Sequence, residues 1–174
     1  MKVIAAVHGA PPATADLLYV PFEEGVSGRD DSVSAIAVYR SDDVPLPDGA
    51  EAYRVDEQVQ WERGEAAVTR ISFVRRPRGL THEDFAFHWT QVHAPLARKH
   101  HPGICRYVQN VVVHKLTPDA PDIDGIAELG FASLEDFRER MYDSTEGQAI
   151  IAADVREFID VTAGWRMLAR PAPR

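Results

Sequence analysis

The chain has little of what several large function classes need. One of its 174 residues is cysteine, Cys105, so neither an internal disulfide nor a cysteine-based zinc site is available. Basic charge is in deficit: 19 Lys and Arg stand against 27 Asp and Glu, for a net charge of −8. A nucleic-acid partner, which asks for a basic face, is therefore not expected. No apolar run approaches the roughly 20 residues that cross a bilayer. The opening MKVIAAVHGAPPATA is too short in its apolar part and is interrupted by His8; alternating Val3, Ala5 and Val7 suit a strand better than a leader. The expectation is a cytoplasmic protein without a membrane partner. Glycine-rich phosphate loops, a GxSxG elbow, a Walker lysine and an HExxH zinc helix are also absent, so neither metal nor cofactor is expected.

What is present is clearest in the second half. Residues 68–76 alternate, with Ile71 and Phe73 on one face and Arg70, Ser72 and Val74 on the other. Thr81 is placed to cap a helix, with Asp84 three residues on, and Phe85, Trp89, Val92 and Leu96 form its apolar stripe. Pro95 has no N–H for the carbonyl of Gln91, so a kink or restart is expected there. A long strand over 104–116 follows, then a strand over 125–131 and a helix capped by Ser133. Next come a helix over 145–159 and a last strand over 161–168. The order is βαββαβ, an α+β arrangement with helices on one face of an antiparallel sheet. Val74, Ile126 and Val161 or Trp165 fall on the other face, which needs a second sheet to cover it.

The first half offers candidate strands at 2–8, 33–39 and 52–61, with a weak helical patch at 15–19 that Pro21 and nearby glycines break. Two arrangements stay open. It is a degenerate copy of the same unit, or an extension whose barrel is completed by another chain. The division expected is a β-rich half over 1–66, an α+β domain over 67–170 and a frayed tail over 171–174.

Three blocks in order carry a family resemblance: FHWTQVHAPLARKHHPGICRYVQNVVV, DGIAELGFASLEDF and STEGQAIIAADVREFID. Together they resemble the EthD family. The resemblance implies a ferredoxin-like unit, a dimeric α/β barrel and a homodimer. It implies function less firmly. The family is named from a cluster for ether breakdown, beside a cytochrome P450 system. Similar domains in aromatic polyketide pathways act as cofactor-free decarboxylases or dehydratases.

Five histidines lie between residues 82 and 101, and imidazole suits proton transfer near neutral pH. His93, in the His-Ala-Pro-Leu element, reads as an acid/base at the barrel mouth or as a tie for the carbonyl that Pro95 leaves loose. His88 reads as half-buried, His100 and His101 as solvated helix-end residues. Alternation sends Glu128 into the barrel, where burial favours a raised pKa and catalysis, unless Arg70 or another inward arginine pairs with it. Tyr107 and Gln109 share one face of their strand and Asn110 the other, with the inner face undecided. The expected catalytic set is His93, Glu128 and Tyr107, with His88, Trp89, Asn110, Arg70 and Trp165 around a hydrophobic small-molecule substrate. The leading reading is an enzyme of catabolic or secondary metabolism using cofactor-free decarboxylase, dehydratase or isomerase chemistry on an oxygenated, polyketide-like compound. The alternatives are an oxidoreductase-linked accessory of an oxygenase and a non-catalytic binding or dimerisation module.

Overall fold

A computed structural model describes residues 1–22, 32–41 and 43–172. Eight strands form the frame: β1 (Lys2–Val7), β2 (Leu17–Pro21), β3 (Ala35–Tyr39), β4 (Glu51–Glu62), β5 (Val68–Val74), β6 (Ile104–Lys115), β7 (Gly125–Phe131) and β8 (Trp165–Pro171). Every neighbouring pair is antiparallel, and the ring β1-β3-β2-β8-β5-β7-β6-β4 closes as β4 returns to β1. The apolar inner face is therefore covered as its composition demands, by closure of one barrel within one chain. A closed ring also has no free strand edge, so edges give no reason for two chains to pair.

The ring contains one order twice. Across the first half it runs β4-β1-β3-β2, and across the second β8-β5-β7-β6. Among the described residues helices occur only in the second half. There α1 (His82–Phe87) runs through a π-helical turn, His88–His93, into α2 (Ala94–His100), and α3 (Leu134–Glu139) and α4 (Thr145–Phe158) follow β7. Thr81 accepts from the amide of Asp84, and Ser133 from that of Asp136, as their spacing predicts. Pro95 sits in the first turn of α2. The wider π turn before it is where the helix absorbs the missing N–H of Pro95.

Two boundaries differ from the sequence expectation. The patch at 15–19 is not helical, because β2 pairs with both β3 and β8, and tertiary pairing outweighs a weak local preference. The expected glycine breakers after Pro21 lie outside the described residues. The last strand starts at Trp165 rather than Val161, after a turn in which Gly164 takes a positive φ of 78°. It also runs on to Pro171, which pairs with Tyr19, and the Ala172 amide donates to Leu18. The start of the expected frayed tail is thus held against β2.

Register decides which face each strand turns inward. Ile71 lies opposite Glu128, and Phe73 opposite Ile126, so these four share the barrel interior. Ile4, Ile36, Tyr53 and Met167 pack with them there. The expectation that Val74 and Arg70 face inward is corrected: Arg70, Ser72 and Val74 point out, under the helices. The two apolar residues of β5 out-compete the arginine for the dry interior.

Candidate functional site

Between the outer face of β5, β7 and β8 and the helices above it lies a cavity of about 410 Å³. Its floor includes Arg70 and Ser72 from β5, Leu129 from β7 and Arg166 from β8. Its roof includes Trp89 and His93 from the π turn and Ile151 and Val155 from α4. Phe85, Phe131 and Phe158 form the packed cluster beside it and hold the helices in place.

His93 is buried, and its ring leans on Phe158 at 5.1 Å. Its Nδ1 lies 2.7 Å from Oδ2 of Asp154, while the other carboxylate oxygen is 2.8 Å from Nε2 of His88. Burial would raise the pKa of Asp154. The hydrogen bonds from His93 and His88 outweigh it and hold the carboxyl below the usual range. An ionised Asp154 fixes the His93 tautomer with the proton on Nδ1, which leaves the Nε2 lone pair available. Nε2 has no protein partner among the described residues.

Tyr107 enters the same cavity from β6. Its hydroxyl accepts from Trp89 Nε1 and from Gln109 Nε2, both at 3.0 Å. Both acceptor positions are thus used, and the phenolic proton remains for a ligand. Burial pushes its pKa up to about 12 against those two donated bonds, so the group is a neutral donor. Trp89 reaches this position because Gly125 lies beneath it; a Cβ there would overlap the indole ring.

The expected residues divide between the two sheet faces. His93, Tyr107, Trp89, Arg70 and Trp165 line the cavity, with Trp165 also stacked on Phe73 at 4.1 Å. His88 stands behind it, stacked on Phe158 and bonded to Asp154. Glu128 and Asn110 lie on the opposite face, inside the barrel, and do not meet His93. There Glu128 receives Lys2 Nζ at 2.6 Å, Arg106 Nη1 at 3.0 Å and Asn110 Nδ2 at 3.0 Å. Burial would raise its pKa, but Lys2 and Arg106 prevail and hold it down to about 2. The expected raised value is corrected: the pairing reading fits, with Arg106 and Lys2 in place of Arg70. The chain Arg40–Glu57–Lys2–Glu128–Arg106 joins both halves of the barrel.

His100 and His101 are corrected as well. Each is 5% exposed, His100 bonded to Asp143 and His101 to the carbonyl of Met141. Burial pushes the His101 pKa down to about 4, against the bond to Met141. Sequence reasoning missed Asp154, an acidic residue within a helix with no local mark. It also missed Lys2 and Arg166; strand alternation alone could have flagged Arg166 beside Trp165.

Among the described residues no three His, Cys, Asp or Glu side chains gather as a metal site would need. No described helix is long and apolar enough to cross a membrane. Residues 77–162 match the EthD domain. No curated protein matches the chain. One solved structure, described as a crystal structure study of an anthrone oxidase-like protein, is similar in fold. It has a TM-score of 0.59 at 12% identity, covering 99% of this chain and 90% of that one.

Proposed function

We propose that this chain, whose residues 77–162 match the EthD domain, is a small-molecule enzyme with its site beneath the helices. It works by cofactor-free acid/base chemistry of the decarboxylase, dehydratase or isomerase type on a hydrophobic, oxygenated compound. His93 Nε2 takes or returns the proton. Asp154 orients the ring and stabilises it when charged, and Tyr107 donates to the oxygen on which negative charge grows. The observation that carries this reading is the pairing, in one cavity, of an imidazole fixed at 2.7 Å by Asp154 with a phenol whose proton is uncommitted. The mostly apolar wall supports the substrate class. Glu128 has no part, because it faces the barrel and is neutralised there.

We also read each half as one ferredoxin-like unit, the first without helices among its described residues. The repeated strand order supports this, since one order appearing twice around a ring is what duplication followed by loss would leave.

The test is His93→Gln beside wild type, with a substrate found by thermal-shift screening. The expected loss of turnover is about 10²–10⁴-fold with the melting temperature nearly kept. Turnover per folded molecule that survives the change would remove His93 from catalysis and favour the binding-module reading.

A further inference from the structure

Two buried histidines line the cavity, and they are anchored in different ways. His93 gives its Nδ1 proton to the Asp154 carboxylate. His101 bonds through Nδ1 to the backbone carbonyl of Met141. A carbonyl oxygen only accepts, so this contact fixes the His101 tautomer with the proton on Nδ1 and a lone pair on Nε2. The end of α2 holds the residue in place, its amide donating to the carbonyl of Ala97 at 3.0 Å. Its ring lies 5.0 Å from that of Tyr142, and both line the cavity beside Met141. Among the described residues Nε2 meets no hydrogen-bond partner, and it is not one of the atoms sealed from solvent.

The two anchors also separate two roles. A carboxylate stabilises an imidazolium, and a neutral carbonyl does so far less. Burial disfavours a charge on His101, and His93, Arg70 and His100 lie near enough to oppose it further, which holds the pKa down to about 4. At neutral pH His101 is therefore uncharged: it accepts a hydrogen bond and does not take the proton. A buried acceptor left without a donor is costly.

We propose that His101 selects the substrate, its Nε2 accepting a hydrogen bond from a hydroxyl carried on an apolar ring compound. Tyr107 offers a proton in the same cavity, so its partner is the other kind of oxygen, a carbonyl. The substrate that satisfies both is a ring compound bearing a hydroxyl and a carbonyl. The inference rests on reading this cavity as the substrate site, and it names the substrate class for it. A ligand whose hydroxyl is methylated is rejected, because the site loses a bond and keeps a bare acceptor.

Calorimetric titration of the whole chain with 2-naphthol and with 2-methoxynaphthalene, at neutral pH, compares ligands that share a ring system and differ in the donor. Wild type should bind the naphthol at least about fivefold more tightly. His101→Phe keeps a ring beside Tyr142 and removes the acceptor, so the two affinities should come within about twofold of each other. His101→Gln places an amide oxygen near the Nε2 position and should restore part of the preference. His93 also turns a lone pair to the cavity, and His93→Phe should keep the preference. Two-bond proton–nitrogen spectra of nitrogen-labelled wild type need no variant to fold. The His101 Nε2 signal should be that of an unprotonated ring nitrogen, and it should move with 2-naphthol and not with 2-methoxynaphthalene. Equal affinity for the two ligands in wild type, a preference that survives His101→Phe or vanishes in His93→Phe, a His101 ring protonated on Nε2, or no binding of 2-naphthol at millimolar concentration would each overturn the proposal. Turnover that survives His93→Gln would sink the acid/base reading and leave these binding ratios untouched, so the two failures show up in different measurements.

Discussion

The two halves of the barrel share one strand order and differ in what lies on their outer faces. On the first half that face is built mostly from Ala5, Ala35, Ala37 and Ala52 with Val3 and Val7, Tyr39 being its one large member, and Leu18, Val44, Leu46 and Leu116 pack onto it. Side chains this small let connecting segments settle directly on the sheet, and the layer closes. On the second half the helices carry Phe85, Trp89 and Phe158, which pack with Phe131 of the sheet and prop the helices off it beside the cavity. The size of the side chains between sheet and covering layer thus separates a sealed layer from a site, on strands of the same connectivity.

The largest effect expected is at the ionic chain that ties the halves together. Glu128→Gln leaves Lys2 and Arg106 buried without their shared carboxylate and should cost about 3–5 kcal/mol in denaturant unfolding. A loss below about 1 kcal/mol would show that the two halves do not depend on this link. Acid should attack both parts in sequence. The folded pKa of His101 is about 4 against 6.5, so the unfolded chain takes up the proton first and stability falls as pH drops from about 6.5 towards 4. For Glu128, about 2 against 4.5, the contribution is complete above about 4.5 and is lost as pH falls towards 2. Each unit of difference is worth about 1.4 kcal/mol, and melting curves across pH should show two successive losses. In Glu128→Gln the lower loss should shrink and the upper one persist.

A smaller effect tests the outer faces directly. Ala37→Leu on the sealed face should cost about 1–3 kcal/mol by overpacking. Ala127→Leu, whose side chain lines the cavity, should change stability by less than about 1 kcal/mol and weaken binding of a ligand found by thermal-shift screening. Equal costs at the two positions would mean that the cavity closes up in solution.

Much of the second half was legible from local signals. The caps at Thr81 and Ser133, the strand over 125–131 and the inward turn of Glu128 all follow from short-range rules, and the structure keeps them. The direction of Arg70 was not legible. Alternation assigns it to a face opposite Ile71, but which face is inside depends on the register with β7 and β8. Asp154 was invisible for a related reason. It is one of several acids on its helix, and only the packing of α4 against the π turn brings it to His93 and His88.

By itself the sequence determined the alternation of each strand, the helix starts, the break at Pro95 and the lack of a cysteine or basic-face chemistry. These are properties of neighbouring residues, set by backbone geometry and by side-chain period. The tertiary structure alone decided that the barrel closes within one chain, that His93 and Glu128 face opposite ways, and that Arg70 lies beneath the helices. Those outcomes depend on pairings between strands up to 152 residues apart, such as Tyr19 of β2 with Pro171 of β8. A pairing of that range is chosen by the apolar surface that the whole ring buries, and no local stretch carries that information.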